Sequence, residues 1–356
     1  MNIYMPINKI DSRNKYLFNL YKCLKDLNID LTTDKNFWLE KQGNWDIILI
    51  HWPEHLPFLK KANLSFEKFQ IERIKYFIKE SKLLSIYHNY NPHKGNKNYK
   101  YLYNNLYKYS DAIVHFSNFS INHIKEKYKI RNCLHYVVPH GDYLKNISPI
   151  NKNLAKKSLR LPVYKNTVIS IGAVRNFSDY LMILSFKNIF IKNNFNFIYA
   201  GELYNWLYSF FPWKLGFLIR YIIKFLSKTF RKNICTEKSL LFINRIVSDN
   251  ELNTLCSASD IVLIAKSNNL NSGNIALGFS FSNIVLGPDN GNIGEILKST
   301  KNPTFKIGNL NSVEIIEQCK NALDRKVGEM NNKFIINNCN WKKIGNNFKN
   351  IFDSLI

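Results

Sequence analysis

The 356-residue sequence predicts an α/β fold of two Rossmann-like domains, each built on a parallel sheet. Three observations carry this expectation. The chain is longer than one hydrophobic core usually supports, so two domains of about 150 to 180 residues are expected. Short β-branched and apolar runs alternate with amphipathic stretches, as in a sheet covered on both faces by crossover helices. Those runs repeatedly stop at His, Ser, Asn or Gly, where an open parallel sheet binds its ligands.

The elements follow in order. A short apolar run opens the chain, and residues 12–30 then place Leu17, Leu20, Tyr21, Leu24 and Leu27 at helical spacing. Asp46-Ile-Ile-Leu-Ile-His51 reads as a buried strand that stops at His51-Trp-Pro-Glu-His55. Strands at 83–87, 111–115 and 134–138 lead into His88-Asn-Tyr-Asn-Pro-His93, Phe116-Ser-Asn-Phe-Ser120 and Pro139-His-Gly-Asp-Tyr143. The polar stretch 146–157 reads as a linker. Beyond it, strands are expected at 167–171, 195–200, 240–243, 260–264 and 283–286, with helices at 248–257 and 272–281. The organisation is thus an N-terminal domain over 1–150, a C-terminal domain over 151–338 with an insertion at 203–232, and a closing helix within 339–356 that packs back on the N-terminal domain.

Composition narrows the partners. Lys plus Arg number 50 against 26 acidic residues, a formal charge of +24, which attracts nucleic acid, anionic lipid or phosphorylated small molecules. Part of the lysine excess accompanies an Asn- and Ile-rich coding bias. The six cysteines are scattered without a Cys-x-x-Cys pair, which reads as buried thiols in a reducing compartment. The start, Met1-Asn-Ile-Tyr-Met-Pro-Ile-Asn8, lacks the basic and then apolar pattern of a secretory signal, so the expected location is the cytoplasm.

Residues 203–232 break the alternation. Large apolar residues such as Trp206, Trp213 and Phe225 are interleaved with basic ones, and Arg220, Lys224 and Lys228 share one helical face. No uncharged run reaches the roughly 18 to 20 residues needed to span a bilayer. The segment reads either as a basic amphipathic helix on an anionic membrane surface or as an insertion packed on its own domain.

The most specific local signal is Asn271-Ser-Gly-Asn-Ile-Ala-Leu-Gly, running on through Gly-Pro-Asp-Asn-Gly-Asn-Ile-Gly-Glu295. It resembles the donor-binding region of GT-B glycosyltransferases of the family 4 type, as found in bacterial surface-polysaccharide assembly. There a Ser-Gly opens a helix, a strand follows, and a Gly-rich turn leads to Glu. Asp46 to Glu54, Tyr87 to His93, Asp111 to Ser117, Val138-Pro-His-Gly141, Gly172-Ala-Val-Arg175, Ala200-Gly201, residues 246–260 and the closing 341–352 helix resemble the same family in the same order. The resemblance implies a metal-independent hexosyltransferase of GT-B fold, with the two parallel sheets facing a central cleft. It implies a nucleotide-diphosphate sugar as donor, a saccharide or lipid-linked saccharide as acceptor, no cofactor, and a peripheral position on the inner face of the plasma membrane. Two departures stand out: no Glu lies between Glu251 and Glu295, and Arg175 is followed by Asn-Phe-Ser-Asp179 rather than by Lys.

The physics of the candidate residues is independent of the resemblance. Gly172, Ser272, Gly273 and Asn274 let backbone N–H groups approach a diphosphate, which a helix dipole also favours. Arg175, helped by Lys266, can hold phosphate oxygens and stabilise the leaving group, and Glu295 can accept from a ribose or sugar hydroxyl. On the N-terminal domain His88 is the first candidate for the catalytic group, followed by His51 and by Glu54 as an alternative general base; His93 and His140 are weaker candidates. His51 and His55 could share a metal only on a regular helix, which Pro53 opposes, so no metal is expected. A competing reading is a basic nucleic-acid-binding protein, supported by the Lys- and Tyr-rich run 94–103, but no nucleic-acid motif accompanies it.

Overall fold

The computed structural model describes residues 1–12, 14–59, 65–90, 99–130, 132–145, 147–203, 221–222 and 238–356. The insertion at 203–232 lies almost entirely outside them, as do His93 and residues 94–98 of the 94–103 run. The chain divides into one unit of residues 1–141 with 337–356 and a second of residues 142–336.

The first unit is a six-stranded sheet in the order β2-β1-β3-β4-β5-β6. Its strands are β1 (Ile3–Tyr4), β2 (Leu31–Thr32), β3 (Ile47–Ile50), β4 (Lys82–Ile86), β5 (Ala112–His115) and β6 (Leu134–Val137). All neighbours pair in parallel. β3 is buried along its whole length, as an apolar run between two helical layers must be. Its helices are α1 (Lys15–Asp26), α2 (Lys35–Glu40), α3 (Phe66–Phe77), α4 (Lys100–Tyr109) and α5 (Asn118–Tyr128), with a 3₁₀ turn at Pro53–His55.

The second unit contains α6 (Lys152–Ser158), β7 (Thr167–Ile171), α7 (Phe177–Lys192), β8 (Asn196–Ala200), β9 (Leu240–Ile243), α8 (Asp249–Ser257), β10 (Ile261–Leu263) and α9 (Gly273–Ser280). It continues with β11 (Ile284–Pro288), α10 (Gly291–Ser299), β12 (Thr304–Phe305), α11 (Ser312–Asp324) and α12 (Val327–Asn338). Its sheet is again six-stranded and parallel, in the order β12-β11-β10-β7-β8-β9. The core centres on Phe186, Phe190, Phe197, Leu263 and Leu286.

The last helix, α13 (Trp341–Leu355), belongs to the first unit. Trp341, Ile344, Phe348, Ile351 and Phe352 join the strands and α1 in one core. Gly345 makes the close approach possible, because a Cβ there would stand 3.1 Å from Leu27 and 3.2 Å from the Cys23 sulfur.

The expected linker at 146–157 is corrected in part, since it includes most of α6. Asn151 caps that helix by accepting from the backbone N–H groups of Asn153 and Leu154. Lys156 is buried there because its ammonium reaches Asp260 at 3.0 Å and the carbonyl of Lys165 at 2.8 Å.

Candidate functional site

In the second unit the site grows out of the end of β7. The chain turns at Gly172 with φ of +109°, a region that costs side-chain-bearing residues strain. Gly201 ends β8 beside it, and a Cβ there would stand 2.2 Å from the Gly172 carbonyl oxygen. The two glycines let the chains run on together: Gly172 N–H donates to Ala200 O at 2.9 Å and Val174 N–H to Glu202 O at 3.0 Å. Arg175 follows at an exposed position. Surrounding protein lowers the pKa of its guanidinium, with Asp179 opposing, and a guanidinium stays charged regardless.

α7 starts at once. Asn176 caps it by accepting from the Asp179 N–H at 2.8 Å, which sets the Asp179 carboxylate into the interior at 2% exposure. That carboxylate accepts from the Ser267 N–H and hydroxyl, both at 2.9 Å, and stands 3.7 Å from the Lys266 ammonium. Lys266, just beyond β10, also donates to the carbonyl of Ala173. Burial lowers its pKa to about 8; Asp179 opposes the shift and Arg175 adds to it. The lysine is therefore a cation at neutral pH, held against the Gly172–Arg175 turn.

α9 completes the cluster. Ser272 is its N-cap, accepting from the Asn274 N–H at 3.4 Å, and the Asn274 side chain donates to Ile171 O at the end of β7 at 3.1 Å. Asn292, in the first turn of α10, donates to the Asn271 side chain at 2.7 Å. Glu295 lies half-buried on the next turn. α10 packs tightly on the turn before it, because a Cβ on Gly294 would stand 2.2 Å from the Asp289 carbonyl. The structure thus gathers Gly172, Arg175, Lys266, Ser272, Gly273 and Asn274 around one strand end, with Glu295 on the adjoining helix. Two cations and a helix N-terminus together suit a diphosphate. Sequence reasoning missed Asp179 and Ser267, which hold Lys266; a carboxylate in the first turn after an Asn cap was the available signal.

In the first unit the strand ends bring a different set together. His51, 3% exposed, follows β3, and its Nδ1 lies 3.1 Å from His88 Nε2 after β4. Burial lowers the His51 pKa to about 3, so the imidazole is neutral. Trp52 stacks on His88 at 4.3 Å between centroids. Tyr16 of α1 meets His51, His88, Phe116, His140 and Trp341 at 5.0 to 5.8 Å. His140 faces its own neighbour, Nδ1 lying 2.8 Å from Gly141 O. Glu54 is turned onto α4, where it accepts from the Tyr103 hydroxyl at 2.6 Å; burial, then this carboxylate, pushes the Tyr103 pKa up. Trp52 and Tyr16 were not singled out from the sequence, although Trp52 adjoins His51.

A second histidine pair lies on β5 and β6. The Ser120 hydroxyl donates to Ser117 O at 3.0 Å, so it accepts from His115 Nδ1 at 3.0 Å. His115 Nε2 is then left to accept from His135 Nδ1 at 3.0 Å. Burial, with His135 and Lys125 beside it, lowers the His115 pKa to about 3, so the buried imidazole stays neutral within a satisfied network. Among the described residues no three His, Cys, Asp or Glu side chains come together as a metal would need, and no helix is long and apolar enough to cross a membrane.

No family model and no curated protein matches the sequence. Solved structures match along nearly its whole length. Sucrose-phosphate synthase (tll1590) from Thermosynechococcus elongatus superposes with a TM-score of 0.70 at 11% identity, covering 99% of this chain and 98% of that one. Anabaena Alr3699/HepE in complex with UDP-glucose gives 0.66 at 12% identity, covering 99% of each. The catalytic domain of starch synthase IV from Arabidopsis thaliana, bound to ADP and acarbose, gives 0.61 at 10% identity, covering 97% of this chain and 78% of that one. At such identities the likeness concerns architecture, and two parallel six-stranded α/β units in one chain have the GT-B fold of these glycosyltransferases.

Proposed function

We propose that the chain is a glycosyltransferase that moves a hexose from a nucleoside-diphosphate sugar to a saccharide acceptor. The observation that carries this reading is the cluster at the end of β7, where Arg175, Lys266 and the N-terminus of α9 surround one point. Anabaena Alr3699/HepE, similar in fold, is described in complex with UDP and with UDP-glucose. The diphosphate sits against Gly172, Ser272, Gly273 and Asn274, and Glu295 accepts from a hydroxyl of the donor. The acceptor oxygen bonds to the anomeric carbon as the bond from that carbon to the phosphate oxygen breaks. Negative charge grows on the leaving diphosphate, and Arg175 with Lys266 stabilises it. His88, its ring fixed by His51 and Trp52, takes the acceptor's proton; the Glu54 carboxylate is already occupied by Tyr103.

The test compares wild type with Arg175→Ala. Uridine diphosphate is expected to raise the wild-type melting temperature by mass action, and the variant, whose exposed side chain adds little to folding, is expected to melt normally without ligand. Its transfer rate is expected to fall by about 10²-fold or more. Normal transfer by a folded Arg175→Ala protein, or no nucleotide stabilisation of wild type, overturns the reading.

The acceptor side of the proposal is a lipid-linked saccharide of surface-polysaccharide assembly, reached from the inner face of the plasma membrane. The charge of +24 and the basic, aromatic segment 203–232 support it. Replacing Arg220, Lys224 and Lys228 by Gln is expected to weaken binding to anionic vesicles at low salt by about 1 kcal/mol per charge. Unaltered vesicle affinity removes the membrane element and leaves the transferase assignment standing.

A further inference from the structure

Helices α9 and α10 follow β10 and β11, which pair in parallel, so both begin at the carboxyl ends of their strands, where an α/β sheet binds its ligands. A side-chain hydrogen bond ties the two beginnings together: the Asn292 amide donates to the Asn271 side-chain oxygen at 2.7 Å. Asn271 immediately precedes Ser272, the N-cap of α9, and Asn292 lies in the first turn of α10 at 0% exposure. Three positions on, Glu295 shares the face of α10 that carries Asn292. We propose that Asn292 is a positioning residue: through Asn271 it fixes the spacing between the α9 start, which takes the donor diphosphate, and Glu295, which takes a donor hydroxyl. The inference rests on the transferase reading above.

Both partners are anchored in a way that transmits position. On α10, a Cβ at Gly294 would stand 2.2 Å from the Asp289 carbonyl, and Ile293 and Leu297 are both 0% exposed. The first turn therefore cannot slide without breaking its packing. On α9, Ser272 accepts from the Asn274 N–H, and the Asn274 side chain in turn donates to Ile171 O at 3.1 Å. Residues 264–272, between β10 and α9, are irregular, and sites on loops are held less precisely than sites on helices. The bond from Asn292 gives the end of this loop the rigidity of α10. The pair is also neutral, and neither helix has an acidic residue in its first turn. Asp at position 271 would accept the same hydrogen bond but would set a negative charge beside the diphosphate. Asn supplies the geometry without the repulsion.

The experiment titrates the full-length protein with three probes of increasing extent: inorganic pyrophosphate, uridine diphosphate and UDP-glucose. Asn292→Ala and Asn271→Ala are each expected to weaken UDP-glucose binding about tenfold while changing pyrophosphate binding little. A loss that first appears with uridine diphosphate assigns the Glu295 contact to the ribose; one confined to UDP-glucose assigns it to the sugar. The double variant is expected to bind no more weakly than either single one, because the two residues act through one bond. Asn271→Asp, which keeps the acceptor, is expected to weaken the probes in order of their charge, pyrophosphate most, without a selective loss of UDP-glucose. Asn271 is half-buried, so its variants keep the test open if Asn292→Ala does not fold. Unchanged affinities, equal weakening of all three probes by the alanine variants, or additive losses in the double variant overturn the positioning role and leave the transferase assignment. Wild-type protein that binds neither uridine diphosphate nor UDP-glucose overturns the transferase reading, and this inference with it.

Discussion

At Lys266 the demands of folding and of the proposed diphosphate binding pull in opposite directions. Its ammonium lies 13% exposed near an Asp179 carboxylate that is 3% exposed, and burial pulls its pKa from 10.5 to about 8. Between those values the unfolded chain binds more protons at this site than the folded one. Stability contributed through Lys266 therefore rises as pH increases from about 8 toward 10.5, with a slope of at most about 1.4 kcal/mol per pH unit. A bound diphosphate reverses the preference because it favours the protonated lysine. Urea midpoints of wild type relative to Lys266→Met are expected to rise across this window, while affinity for uridine diphosphate falls. The comparison between variants cancels the buried tyrosines, which titrate in both. Equal pH profiles for the two proteins would show that Lys266 is not held in the arrangement described. The sequence offered Lys266 as a partner of Arg175, but not its pairing with Asp179, 87 residues away, whose carboxylate is in turn held by the neighbouring Ser267.

At the level of elements, most of the legible strands are buried on both faces, although β6 and β9, only partly buried, were read as well. β3, β7 and β8 are uninterrupted apolar or small-polar runs, so burial wrote their extent into the residue pattern. β2 and β12 have two residues each, too few for any periodicity, and they exist because neighbouring strands offer edges to pair with. α6 was misread as linker because its buried face includes Lys156, a residue that reads as exposed until Asp260 is brought to it from 104 positions away. The glycine pair at the ends of β7 and β8 was half legible: Gly172 and Gly201 were each noticed, yet their contact was not. Replacing Gly201 by Ala would drive a Cβ to 2.2 Å from the Gly172 carbonyl at a φ of +155°. The strand ends must separate, and overpacking of this kind costs about 1–3 kcal/mol. Because the Gly172–Arg175 turn moves with them, nucleotide binding is expected to weaken along with thermal stability. Calorimetry and a uridine diphosphate titration on Gly201→Ala measure both, and unchanged nucleotide affinity would show that the turn is not part of the donor site.

For the whole molecule, the closing helix makes a separation of the two cores testable. α13 is separated from the strands it covers by the 195 residues of the second unit (142–336), yet Trp341, Ile344, Phe348 and Phe352 are each at most 1% exposed within the core of the first unit. Trp341 fills the space above Gly141, where a Cβ would stand 2.4 Å from its ring, and it also packs against Tyr16. Losing one such aromatic side chain costs about 3–5 kcal/mol, and losing the helix removes several at once, comparable to the whole stability of a domain. The core of the second unit draws on β7, β8, β10 and β11 and on α7 and α11, and takes nothing from residues beyond 338. A chain ending at residue 338 is therefore expected to lose hydrogen-exchange protection in β1, β3, β4 and β5 while keeping it in β7, β8, β10 and β11. Exchange followed by mass spectrometry reads the two sheets separately. Full protection of the first sheet in the shortened chain would show that α13 only decorates it, and simultaneous loss in both sheets would show that the two cores unfold as one cooperative unit.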